Sequence, residues 1–200
     1  MSTVDNAIEA GGVTPPAAVK VWDPFVRVFH WSLAALFLLA YVTGDELERV
    51  HIAAGYAIAG LVGLRIVWGF IGPRRARFGD FVRAPRAVLA DLRDVALFRT
   101  PRYLGHNPAG GAMTLALFGL VLVASFSGWL STTDRYFGSF WVEAIHSGSA
   151  NLLIGLVVLH VVGVILSSLL HGENLIRAMI TGRKPVETAS GELGGEVEEA

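Results

Sequence analysis

Apolar residues in this chain fall into four long blocks, 25–43, 51–72, 111–130 and 144–170, separated by polar links. At 1.5 Å per residue each block can cross about 30 Å of hydrocarbon as a helix. The first is the shortest and leans on its aromatic flank, Phe25, Phe29 and Trp31, for interfacial anchoring. The pattern predicts four transmembrane helices in an all-α membrane bundle. The short polar link 44–50 makes the first two antiparallel neighbours. Within the long link 73–110, Val88, Leu92 and Val95 recur at helical spacing, with Arg86, Asp91 and Asp94 elsewhere on the wheel. That predicts a short helix over 85–98 lying on the membrane surface. Segment 171–181 has the same character. Residues 1–20, with Pro15, Pro16 and several glycines, read as a flexible segment, and the Gly- and Glu-rich 186–200 as a disordered acidic tail. One domain, 21–185, lies between them, with no internal repeat.

Composition sharpens this picture. A chain that is 53% hydrophobic, with mean hydropathy +0.54, is too apolar for an ordinary soluble domain. The net charge of −1 hides a strong segregation. The 73–110 link holds Arg74, Arg75, Arg77, Arg83, Arg86, Arg93, Arg99 and Arg102, whereas the links before the second and fourth blocks hold only Arg49 and Arg135. By the positive-inside rule the Arg-rich loop is cytoplasmic, and both termini with it, in a multi-pass protein of the bacterial inner membrane. Residues 1–20 lack the apolar core of a cleaved signal peptide, so the first helix is expected to serve as its own anchor. The absence of cysteine excludes disulfides, thiolate-held iron–sulfur clusters and covalent c-type haem attachment.

The candidate chemistry lies in four histidines. His146 and His160 are fourteen residues apart on the fourth helix, about four turns and about 21 Å, and so share one face at two depths. His30 opens the first helix at the cytoplasmic side, and His51 opens the second at the opposite side. Level alone pairs His30 with His160 and His51 with His146. A single histidine near a helix end reads equally as a cap or a headgroup-level residue. Four at two matched levels read as axial ligands for two stacked, bis-histidine b-type haems, His30, His51, His146 and His160 being the metal ligands. On straight helices the His30 and His160 depths differ by several ångströms, which tilt can absorb. The ring nitrogen turned away from iron needs an acceptor such as a backbone carbonyl.

Other residues bear on the same reading. Gly55, Ala59, Gly60 and Gly63 on the second helix, with Gly148, Ala150 and Gly155 on the fourth, leave room for a flat macrocycle, and equally suit close helix packing. Arg65, fourteen residues after His51, stands near the cytoplasmic-side haem level. It is either a partner for a haem propionate or a cation snorkelling to the headgroups. His106 and His171 read as interfacial residues, His171 also within reach of a quinone headgroup.

At these residues the chain resembles the prokaryotic cytochrome b561 family, which includes the b-type cytochrome subunits of nickel–iron hydrogenases. The matching stretches are Val21-Trp22-Asp23-Pro24 through Phe29-His30-Trp31, His51-Ile52-Ala53-Ala54-Gly55-Tyr56, Arg65-Ile66-Val67-Trp68-Gly69-Phe70, Gly105-His106-Asn107-Pro108, His146 with His160, and Leu170-His171-Gly172-Glu173-Asn174 to Arg183. The resemblance covers roughly residues 20 to 185. It implies a four-helix bundle with two b haems, ligated from helices one, two and four, that passes electrons between a quinone or quinol pool and a redox partner such as a c-type cytochrome or a hydrogenase. A haem-bearing anchor subunit of a larger redox complex is the alternative, and a homodimer is left open. A metal or proton transporter with a histidine relay would need buried acidic partners along the helices, and apart from the flanking Asp45, Glu46, Glu48 and Glu143 there are none.

Overall fold

Hydropathy and capping chemistry together set the helices. In the computed structural model, which describes residues 18–44, 46–99 and 101–185, four helices are long and apolar enough to cross a membrane. They are α1 (Pro24–Thr43), α2 (Glu48–Ile71), α5 (Pro108–Ser131) and α6 (Phe140–Leu170). α2 and α6 start three and four residues before the apolar blocks do, because polar first-turn residues such as Glu48 and Glu143 suit a helix N-terminus although hydropathy does not count them. Between α2 and α5 run a 3₁₀ turn (Arg74–Ala76), α3 (Phe78–Phe81) and α4 (Pro85–Ala96). After α6 comes α7 (Leu175–Thr181).

Two motifs resolve into caps. Asp23 is the N-cap of α1: its Oδ1 accepts from the Phe25 and Val26 amides at 2.6 and 3.4 Å, and Pro24 fills the first helical position, where no amide donor is needed. Its Oδ2 accepts from Trp68 Nε1 at 2.8 Å, tying the start of α1 to the end of α2. Asn107 caps α5 through the Gly110 amide at 3.0 Å, again followed by proline. Asp91 differs from the exposed polar residue that the α4 wheel suggested. It is buried, accepting from Asn107 Nδ2 at 2.7 Å and from the Ala109 amide at 3.0 Å. The polar side of α4 therefore docks on the start of α5, and Leu89 and Leu92 face outward.

α1 packs on α2, α5 on α6, and α2 on α5. The core where they meet holds Ala40, Ile58, Val62, Val121 and Leu153, with Leu36, Phe37 and Phe118 packed around it. α6 meets α1 through side chains rather than through extended backbone packing, one example being Tyr41 Oη donating to Asn151 Oδ1 at 3.3 Å. Large residues elsewhere on the spans face outward, Val42, Leu64, Phe126 and Leu159 among them, as a bilayer solvent allows.

At the Arg-rich end the segments before α1 and after α7 are clipped together. Strand β1 (Ala18–Lys20) pairs antiparallel with β2 (Arg183–Pro185), and the Val21 and Trp22 amides donate to the Gly182 carbonyl at 2.8 and 3.2 Å. Gly182 ends α7 at φ 79°, a left-handed conformation that favours glycine. β1 occupies the last three residues of the stretch 1–20 that was expected to be flexible. The remainder of that stretch, and the tail 186–200, lie outside the described residues. Beside the clip, buried Glu173 forms ion pairs with Arg102 and, at 3.3 Å, with the buried Lys184 ammonium, which also donates to the Tyr103 carbonyl at 3.1 Å.

Candidate cofactor site: two facing histidine pairs

The four histidines meet in the two pairs that level alone suggested. Away from the Arg-rich end, the outer pair of His51 on α2 and His146 on α6 has ring centroids 5.7 Å apart and ring planes at 87°. At the Arg-rich end, the inner pair of His30 on α1 and His160 on α6 lies 6.4 Å apart at 52°. The depth mismatch anticipated for the inner pair does not keep the rings from facing each other.

The outer rings are fixed by backbone. His51 Nδ1 lies 2.8 Å from the Ala40 carbonyl, and His146 Nδ1 lies 2.9 Å from the Ala124 carbonyl. A carbonyl only accepts, so each Nδ1 donates, and in the neutral imidazole that tautomer leaves Nε2 its lone pair for a metal. Gly128, which hydropathy and spacing did not single out, makes room for this. A Cβ there would stand 2.8 Å from His146 Cε1. On α2 and α6, a Cβ at Gly55, Gly60, Gly63, Gly148 or Gly155 would meet nothing within 4 Å, so these positions border open space.

The inner pair sits among unsatisfied polar atoms. His30 Nδ1 is buried with no hydrogen-bond partner among the described residues, so the expected backbone acceptor is present for His51 and His146 but not for His30. Arg65 is buried rather than snorkelling. Its Nη2 donates to the Ala76 carbonyl at 2.9 Å, its guanidinium lies over the Phe78 ring at 5.2 Å, and its Nη1 is buried with no partner among the described residues. A buried donor left this way costs about 1–3 kcal/mol, a cost that an anionic oxygen would remove.

His106 lies in the loop before α5, half-buried, with its ring packed. Its ring meets Trp22 at 4.8 Å and Phe81 at 5.0 Å between centroids. Burial foremost, then the positive field of Arg65, pushes its pKa down to about 4. Asn107, the next residue, holds the start of α5 beside it. His171 ends α6, with Nδ1 2.9 Å from the Ser167 carbonyl of the same helix. Among the described residues no cluster of three or more histidine and acidic side chains forms a metal site of the transporter kind.

Comparison with known proteins places the chain in a family. The model of the prokaryotic cytochrome b561 family matches residues 21–182. Relatives include a probable Ni/Fe-hydrogenase B-type cytochrome subunit of Azotobacter vinelandii, 27% identical over 90% of this chain and 95% of its own length. Proteins of the same description from Rhizobium leguminosarum bv. viciae and Rhodobacter capsulatus are 25% and 22% identical, each over 84% of this chain and over 89% and 81% of their own lengths. This chain, with its four membrane-crossing helices, belongs to the prokaryotic cytochrome b561 family and is a membrane-embedded cytochrome of the b type.

Proposed function

We propose that the chain moves electrons across the membrane through two b-type haems, one held by His30 and His160 on the cytoplasmic side and one by His51 and His146 on the periplasmic side. It links a quinone or quinol pool to a redox partner. The observation that carries this reading is the presence of two facing histidine pairs, drawn from α1, α2 and α6, at opposite ends of one bundle. The rings of each pair lie 6.4 and 5.7 Å apart between centroids, so both imidazoles of a pair could reach one group bound between them. A haem supplies one-electron exchange at its iron, with a potential set by axial ligands, burial and nearby charge. The protein's part is to present neutral imidazoles with free lone pairs, to leave open space beside the glycines of α2 and α6, and to line the site with apolar side chains. Arg65 Nη1 is the donor offered to a haem propionate. The Arg-rich end is assigned to the cytoplasm, and both chain ends with it, by the positive-inside rule.

A second reading makes the chain the haem-bearing anchor of a larger complex such as a hydrogenase. The names of its relatives, which it matches over most of their lengths, favour that partner. One experiment addresses both readings: detergent-purified protein, reduced with dithionite and then offered a quinol. Two reversibly reducible b haems per chain with quinol-driven reduction support the free-standing electron carrier. Two haems that quinol reduces only when a partner protein is present support the anchor.

A further inference from the structure

Where α2 leaves the membrane, Pro73 turns the chain into the 3₁₀ turn and α3, and an open cleft of about 260 Å³ forms between Arg74, Arg77, Gly79, Asp80 and Arg83. Three arginines and one carboxylate line it. The Arg74–Asp80 contact, at 3.7 Å with Arg74 almost fully exposed, is a weak, water-screened pair. Arg77 uses Nε on the Gly72 carbonyl at 2.7 Å, which leaves its two terminal nitrogens. Arg83 makes no hydrogen bond or ion pair among the described residues. Gly79 is exposed, and a Cβ there would meet nothing within 4 Å.

The apolar surroundings indicate what fills this cleft. Phe70 and Ile71, the last residues of the α2 span, are 69% and 68% exposed, and Val82, next to Arg83, is 45% exposed. Charge and exposed hydrocarbon thus meet at the depth where a phospholipid changes from headgroup to acyl chain. We propose that Arg74, Arg77 and Arg83 bind the phosphate of an anionic phospholipid, whose acyl chains lie against Phe70, Ile71 and Val82. Forked guanidinium donors match phosphate oxygens, and basic pockets beside membrane helices favour anionic headgroups. The excess of positive charge selects against zwitterionic lipids, and the flanking hydrocarbon selects against free phosphate. The site does not depend on the haem assignment.

Native mass spectrometry of the detergent-purified holoprotein, titrated with phosphatidylglycerol, phosphatidylcholine or inorganic phosphate, tests the proposal. Arg74→Gln/Arg83→Gln removes two charges that hold no other part of the fold. Arg135→Gln/Arg177→Gln removes the same charge elsewhere. The wild type is expected to take up one phosphatidylglycerol in preference to phosphatidylcholine. The first double variant should lose roughly 10- to 30-fold in that affinity, while the second stays within about twofold of wild type. Equal loss in both variants, no preference over phosphatidylcholine, or displacement of phosphatidylglycerol by equimolar inorganic phosphate would each overturn the proposal.

Discussion

The two histidine pairs resemble each other in separation and differ in what surrounds them. The outer rings are locked by carbonyls of α1 and α5, with Gly128 cut away to admit His146. Toward the Arg-rich end, the inner pair has a His30 Nδ1 and an Arg65 Nη1 with no partner among the described residues, the packed His106, the β1–β2 pairing and a buried Glu173–Lys184 ion pair. One end is shaped in advance by the backbone. The other carries buried polar atoms that have no hydrogen-bond partner among the described residues. On the proposed reading, in which each pair would hold one haem, this difference would give the two haems different electrostatic settings and so different potentials.

The largest break in the comparison comes from the ligands themselves. His146→Ala should lose the outer haem alone and His160→Ala the inner alone, each leaving one haem per chain by pyridine haemochrome. Loss of both haems, or of neither, in a folded variant would disprove the pairing. Gly128→Val should act as a milder His146 variant, because the added side chain occupies the His146 ring position. Reduced occupancy or an altered spectrum of the outer haem, with the inner one unchanged, is the expected outcome.

Acid should act at the inner end. His106 has its pKa pushed down to about 4, so it stays neutral in the folded protein while an unfolded histidine takes up a proton near 6.5. Stability from this site is complete above about pH 6.5 and falls as pH drops toward 4, by on the order of 2–3 kcal/mol. Nitrogen NMR of labelled histidine should find His106 neutral at pH 5.5, and His106→Asn should flatten the dependence of unfolding on pH over that window. The smallest effect is expected from Arg65→Met. Removing a buried positive charge should lower the inner midpoint potential by about 40–90 mV, equivalent to about 1–2 kcal/mol, and leave the outer one in place. A redox titration that finds both potentials moved equally would remove Arg65 from the inner site.

The spans and the pairing of the four histidines were legible in the sequence because a bilayer leaves few alternatives. Twenty apolar residues must be helical, and a histidine among them needs a reason. Register along α6 then fixed which histidine shares a level with which. What the sequence did not disclose depends on contacts between distant segments, which carry no periodicity. Asp91 reads as one polar position on an amphipathic wheel, yet it is buried as the acceptor for Asn107 and Ala109. Gly128 is one small residue in an apolar run until the His146 ring is placed against it. His106 has loop residues on both sides, and only the arrival of Trp22 and Phe81 encloses it. For Arg65, sequence left propionate pairing and snorkelling open. The 3₁₀ turn and Phe78 that fold over its guanidinium rule out snorkelling.

The most direct test of the account is the haem-to-protein ratio of the purified chain, measured by pyridine haemochrome together with a potentiometric titration of the same sample. Two b haems per chain with two resolved midpoint potentials are predicted. One haem, or none in folded protein supplied with haem, would contradict the two-haem ladder.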